Sequence, residues 1–256
     1  FAYKTLGKSA SVKPLVTLLE SETLTNAQRE DIQSAIALLG NPQDLALLLS
    51  QVSANETPVE RKVSLLNSLT TAAENRKVKP SGSLNVVKDW LNSEDVALQQ
   101  AAARAAGSWK LEATRPTLQA LAQKGKSPAT RIAAIEGLNR MGGNIQPVLV
   151  PIAGQLDSPF AVREAAIVAL ASSTPGKAAE LAVEFWQSKS TEVPVDNIMS
   201  ALLQQKNGPG ALLAAVSKSS LPADTAKRTL RVISASGRKF PQLEQGLAKA
   251  GNIKAG

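Results

Sequence analysis

A basic or polar residue returns at nearly fixed intervals along this chain: Arg29, Arg61, Gln99, Arg131, Arg163, Asp196 and Arg228, separated by steps of 32, 38, 32, 32, 33 and 32 residues. The surroundings repeat too. Ser127-Pro128-Ala129-Thr130-Arg131-Ile132-Ala133-Ala134 is echoed by Ser158-Pro159-Phe160-Ala161-Val162-Arg163-Glu164-Ala165-Ala166. A unit this short cannot bury a core by itself, so it must stack on its neighbours in an array. The single long step falls at Glu74-Asn75-Arg76-Lys77-Val78-Lys79-Pro80-Ser81-Gly82, a polar insertion loop (74–82) of the kind an array accommodates between elements.

Each unit reads as two amphipathic helices. Val162, Ala165, Ala166, Val168, Ala169 and Leu170 form an apolar face at helical spacing, Ser172 to Gly176 makes a break, and Ala178 to Gln187 forms the second helix. Further second helices are expected at about Pro42 to Val52, Leu84 to Leu91, Thr114 to Gln123, Gln146 to Leu156, Ala211 to Ser217 and Gln242 to Ala250. The first helices often open on Ser-Pro, Thr-Pro or Leu-Pro. There a hydroxyl caps free amides, and Pro at the first helical position lacks the amide that would be orphaned. Gly40, Gly107, Gly142 and Gly237 lie near helix ends, where a left-handed residue is tolerated. Aromatics are only 3% of the chain, so Ala, Leu, Val and Ile must build the core, which favours helices over sheet. The expectation is an all-α, right-handed α-solenoid of about seven hairpins, one repeat domain spanning residues 1–256.

Tetratricopeptide and ankyrin arrays have similar periods, but neither the Trp-x-x-Leu-Gly-x-x-Tyr nor the Thr-Pro-Leu-His signature is present. Pro at the helix start and the Val162-Arg163-Glu164-Ala165-Ala166 run instead resemble short HEAT repeats. From Ser158 on there is a narrower likeness. Ser220-Leu221-Pro222-Ala223-Asp224-Thr225-Ala226-Lys227, Ser234-Ala235-Ser236-Gly237-Arg238 and Leu247-Ala248-Lys249-Ala250-Gly251 resemble the end of the HEAT region in large exported planctomycete proteins. In that family a membrane-bound dehydrogenase-like propeller precedes the array and a c-type cytochrome domain follows it. The resemblance implies a spacer and docking module of an exported electron-transfer protein. Any haem c would sit in an adjoining domain, because this chain has neither Cys nor His to attach or ligate one.

The missing Cys and His also remove disulfides, thiolate metal sites, thiol nucleophiles and His-dependent triads. No catalytic, cofactor or metal residue is assigned. A Cys-free chain suits an exported, periplasmic setting, while chance omission in a cytoplasmic protein gives the same composition. The chain starts at Phe1 and carries only Met141 and Met199, so the natural start and any targeting segment are expected upstream. No apolar run approaches the ~20 residues that cross a bilayer.

Charge is uneven. Residues 201–256 hold nine Lys or Arg against Asp224 and Glu244, a net +7 out of the chain's +8. Within this basic carboxyl-terminal cap, Lys227, Arg228, Arg231, Arg238 and Lys239 are the candidate partner-binding residues, suited to an acidic protein, an adjoining acidic domain, anionic lipid or nucleic acid. The plainer reading is a solvated end of the array. Nucleic-acid binding is disfavoured, since Trp90, Trp109 and Trp186 lie in separate units and do not interleave with Lys or Arg. The arginine register could line a binding ridge, or tie adjacent hairpins by capping carbonyls and pairing with acids. Gly125-Lys126-Ser127 fails as a phosphate loop, because Ala120 replaces the leading Gly and Pro128 opens a helix. The pairs Glu180/Glu184 and Glu20/Glu22 read as solvated helix faces, and Asn55-Glu56-Thr57 fits a glycosylation acceptor only as a short pattern. A non-enzymatic scaffold is therefore the first expectation. The alternative is an enzyme subunit resembling HEAT-like bilin lyases, which handle a tetrapyrrole; it requires an acidic, aromatic cleft.

Overall fold

The computed structural model describes residues 12–19, 21, 23–187 and 193–253, and among them there is no strand. The pair Glu20/Glu22 and Lys254 of the basic cap lie outside the described residues. The fold is all-α, as the periodicity requires, and among the described residues seven helix pairs follow the helix Val12–Leu19 in chain order.

By contacts the chain divides into two units, residues 1–122 with 136–141 and residues 123–135 with 142–256. The first contains α1 (Val12–Leu19), α2 (Asn26–Leu39), α3 (Pro42–Ser53), α4 (Val59–Arg76), α5 (Val87–Leu91), α6 (Val96–Ser108) and most of α7 (Arg115–Lys124). The division passes through α8 (Pro128–Met141), whose residues 136–141 group with the first unit. The second unit continues with α9 (Gln146–Gly154), α10 (Phe160–Ser173), α11 (Pro175–Trp186), α12 (Asp196–Gln204), α13 (Gly208–Val216), α14 (Ala223–Ala235) and α15 (Pro241–Ala250).

Packing inside each unit follows one rule. Most helices touch the next helix in the chain and the next but one. In the first unit α2, α4 and α6 form one row and α1 and α3 another; in the second, α10, α12 and α14 form one row and α9, α11, α13 and α15 the other. This is the α-solenoid pattern, since neither row could hide its apolar stripe without the other. The interior is aliphatic: Leu45, Leu48, Leu65, Leu66 and Leu69 are fully buried, each worth about 1.5–3 kcal/mol in removal from water. In α6 the buried face is Ala101, Ala102, Ala103, Ala105 and Ala106, short side chains that let a neighbouring backbone come close.

Helix starts carry the capping chemistry, though not always where Ser-Pro or Thr-Pro suggested. Ser127 behaves as expected, its hydroxyl accepting from Thr130 N at 3.1 Å ahead of Pro128. At Thr57-Pro58 and Ser158-Pro159 the proline itself is the N-cap, and no side chain caps the helix. Those hydroxyls face other hairpin elements: Thr57 Oγ1 donates to Gln51 O at 2.7 Å, and Ser158 Oγ accepts from Arg131 at 3.2 Å. Two further starts are capping boxes, Thr25 with Gln28, which has no Pro, and Asn41 with Asp44, where Pro42 takes the first helical position.

Other boundaries shift. The insertion begins at Lys77, not Glu74, because α4 runs on through Arg76; Glu74 and Arg76 are polar since they tie helices together. The break at 172–176 shrinks to Thr174, with α10 continuing to Ser173 and Pro175 opening α11. Only Gly142 (φ 78°) and Gly237 (φ 68°) adopt the left-handed conformation expected of four glycines. Gly40 is extended, and Gly107 lies inside α6, where its reason is contact: a β-carbon there would fall on the backbone of Gly137 in α8.

Candidate interaction surfaces

The recurring arginine resolves into a structural device. Arg29 donates to Leu19 O at 2.9 Å and Ser21 O at 2.7 Å, Gln99 to Leu91 O at 2.9 Å, and Arg163 to Ala153 O at 2.9 Å. In each case a residue in the first turns of one helix satisfies a carbonyl at the end of the helix before it, where orphan acceptors and the negative end of the dipole attract a donor. Arg61 varies the scheme, donating to Leu19 O at the end of α1 and to the side-chain Oε1 of Gln51 in α3, both at 3.2 Å. Burial, and then the nearby Arg29 guanidinium, lower the pKa of Arg61 from its ordinary value. Arg131 contacts Ser158. The register fails after Arg163, for Asp196 opens α12 and Arg228 is the sixth residue of α14.

Arg163 shows how a buried cation is accommodated. It is only 5% exposed, and its guanidinium lies 4.7 Å over the Phe185 ring, which Phe160 meets edge-on at 5.6 Å. Burial lowers its pKa, and Glu184 opposes that shift. The Glu180/Glu184 pair therefore has specific neighbours: Glu180 pairs with Lys177 at 2.9 Å, raising the lysine's pKa, while Glu184 supports Arg163. On α10, the Glu164 carboxylate accepts from Asn197 at 3.0 Å. Burial raises the Glu164 pKa more than that bond lowers it, and Asp196 adds to the rise.

A charged network joins three helices of one row in the first unit. Arg104 pairs with Glu136 at 2.8 Å, Arg140 with Glu74 at 2.8 Å and with Glu136 at 3.7 Å, and Ser108 Oγ donates to Glu74 at 3.1 Å. Sequence reasoning missed it. The 32-residue interval from Arg104 to Glu136 is the repeat period and would have suggested that pair; nothing local signals Arg140 with Glu74.

The five candidate residues of the basic end separate into two kinds. Lys227 and Arg231, one turn apart on α14, and Lys239, beyond its end, are exposed and make no ion pair among the described residues. Arg238 is a tether, donating to Leu203 O at 2.6 Å with its guanidinium 4.8 Å over Phe240. Arg228 is half-buried and engaged within the fold. Glu244, one of the two acids of this stretch, is also occupied, accepting from Phe240 N at 3.0 Å.

The tryptophans are core residues. Trp90, Trp109 and Trp186 are 7%, 2% and 0% exposed, so none offers a stacking face. Ser127 of the Gly125-Lys126-Ser127 motif is a helix cap, and Asn55 is exposed in the turn before α4. Among the described residues no three His, Cys, Asp or Glu side chains cluster as a metal site, and no helix is long and apolar enough to cross a membrane.

In the first unit a groove of about 590 Å³ lies between α2 and α4, lined by Gln33, Ser64, Asn67, Thr71 and Asn75 among others. In the second unit Gly176, Glu180, Ala211, Ala214 and Lys218 line a groove of about 350 Å³ between α11 and α13.

Comparison with known proteins agrees with the architecture. The family model described as HEAT repeats matches residues 84–171, from the turn before α5 through most of α10. No curated protein matches the chain. HEAT arrays are in general scaffolds that present extended surfaces to other proteins, not enzymes.

Proposed function

We propose that this chain is a non-catalytic helical scaffold whose basic carboxyl-terminal end docks an acidic protein or an adjoining acidic domain. The observation that carries the reading is the exposure of Lys227, Arg231 and Lys239 without an ion pair among the described residues, in a stretch of net +7. Cations left unpaired in one stretch keep a long-range field that steers an acidic surface to it and weakens as salt screens it. Arg238, held by Leu203 O and Phe240, contributes charge but is not free to reorient toward a partner.

The test uses two probes of opposite meaning, polyglutamate and a duplex DNA of 20 base pairs at about 0.1 M salt, where the screening length is about 10 Å. Polyglutamate is expected to bind, and K227E/R231E/K239E to weaken it at least tenfold with unchanged helicity. Equal binding by that variant would remove the basic end from the account. DNA binding tighter than polyglutamate binding would turn the reading toward nucleic acid.

The finer assignment, a module of an exported c-type cytochrome or dehydrogenase-like protein, rests on the resemblance from Ser158 onward. A reading frame running past Gly256 into a Cys-x-x-Cys-His segment supports it, and one that stops first withdraws it.

A further inference from the structure

The extra residues of the 38-residue step are fastened to the first unit. Pro80 is buried, and Ser81 N donates to Pro42 O at 2.9 Å, which holds the insertion against the start of α3. Beside it lies a pocket of about 350 Å³, bordered on the other side by the turn from α6 into α7. Lys79 of the insertion, Lys88 of α5 and Lys110 of the turn line this pocket together, all exposed and without an ion pair among the described residues. The Asn85 side chain lines it too and makes no hydrogen bond among the described residues. Glu112, the one acid of the lining, is already answered, its two carboxylate oxygens each accepting from Arg115 at 2.8 Å. The pocket therefore presents positive charge and donors that nothing in the fold uses.

Lys110 stands in a conformation that lysine disfavours. Its φ is 53°, and it ends α6 in a Schellman turn, with Leu111 N donating to Ala106 O and Lys110 N to Gly107 O, both at 3.0 Å. Glycine suits that place best, as it does at Gly142 and Gly237. Lys77 has the same backbone conformation at the end of α4, and there the side chain has a local use: its ammonium donates to Glu74 O at 2.8 Å, answering a helix-end carbonyl. Lys110 makes no such bond among the described residues and lines the pocket instead. Helix ending accounts for Lys77 and leaves the Lys110 side chain unexplained.

Three ammonium groups around one small cavity suit a compact, multiply charged anion. A phosphomonoester carries about −1.5 to −2 charge at pH 7 and three strong acceptor oxygens. Lysine binds phosphate as a point charge without needing the planar fork of arginine. The volume lies near the lower end of the roughly 300–1,000 Å³ of small-molecule sites. We propose that this pocket binds a phosphomonoester group, with Lys79, Lys88 and Lys110 supplying the charge and Asn85 a further donor. The site is separate from the basic carboxyl-terminal end and stands whether or not that end docks an acidic partner.

Calorimetric titration of the intact chain with phenyl phosphate at low salt tests the site, and phosphatidylcholine vesicles bearing phosphatidic acid test a lipid source of the same group. K79A/K110A is expected to weaken phenyl phosphate binding at least tenfold, and K227E/R231E/K239E to leave it within twofold. Lys110→Gly removes the side chain and suits the backbone, so binding should fall at least fivefold while the unfolding temperature holds or rises, a combination that a purely structural lysine would not give. Binding should also decline as pH falls through about 6, where the phosphate gains its second proton. Vesicle binding that is tighter than phenyl phosphate binding and lost in K79A/K110A assigns the group to a lipid headgroup; phenyl phosphate binding alone assigns it to a soluble molecule. No saturable binding of either probe, or equal binding by K79A/K110A, overturns the proposal. So does equal binding of diphenyl phosphate, a diester with one charge.

Discussion

Arg140 of α8 holds Glu74 of α4 at 2.8 Å although α6 lies between them in the row. The reach is open because α6 is small where Arg140 passes: Gly107 sits against Gly137, and Ser108 adds its own bond to the same carboxylate. The contact spans two repeat periods and ties α4 to α8 past α6.

A double-mutant cycle on Glu74 and Arg140 measures that brace. Both side chains keep over a third or about a third of their exposure, so the coupling is expected at about 0.5–1 kcal/mol in urea unfolding, not the several kcal/mol of a buried pair. It should fall as salt rises. A coupling near zero at low salt would mean that the pair is incidental.

Gly107→Ala tests the close approach. Alanine ordinarily stabilises a helix by up to about 1 kcal/mol over glycine, but here the new carbon lands on the backbone of Gly137, which cannot rotate aside. A net loss of roughly 2 kcal/mol is expected in thermal unfolding. Gly210→Ala, in α13 with open space where the carbon would go, should gain about 0.5 kcal/mol by the same measurement. If both variants behave alike, the crossing at Gly107 is looser than described.

Arg163→Ala removes a cation that is 5% exposed, leaving Ala153 O without its donor and Phe185 without its guanidinium. Together these amount to roughly 3 kcal/mol. Arg163→Lys keeps charge but not the planar group, and should lie between the two. The urea midpoints order the three proteins, and an alanine variant as stable as the parent contradicts the carbonyl-tying role.

Glu164 supplies the pH dependence. Burial raises its folded-state pKa above the usual carboxylate range, so the folded chain holds this proton more tightly than the unfolded one. Its contribution to stability is fully present below the unfolded pKa and declines as pH rises through the raised value. Glu164→Gln should therefore flatten the loss of stability between those two pKa values and be neutral or mildly stabilising at pH 7, by less than about 1 kcal/mol since the group keeps some water. A variant less stable at pH 7 than at pH 4, relative to the parent, reverses the sign.

Much of the candidate surface was visible in advance and much was not. The arginine interval was legible because every hairpin has the same problem at the same place, an orphan carbonyl at the end of the preceding helix; Arg29, Gln99 and Arg163 solve it with different side chains at one position. Reading Arg238 with Lys227 and Arg231 as one basic group followed from charge alone, and charge does not reveal that Arg238 is tied to Leu203 O.

The alternation of apolar and polar residues within about 32 positions determined by itself that this chain makes helices, that they come in pairs, and that the pairs stack, because local spacing decides which face must leave water. Which side chains meet between pairs was decided only in three dimensions. Gly107 on Gly137, Arg140 on Glu74 and the bond from Ser64 to Gln33 depend on how closely two helices approach, and that distance is set by the packing of the whole row, not by any residue's own neighbours in the chain.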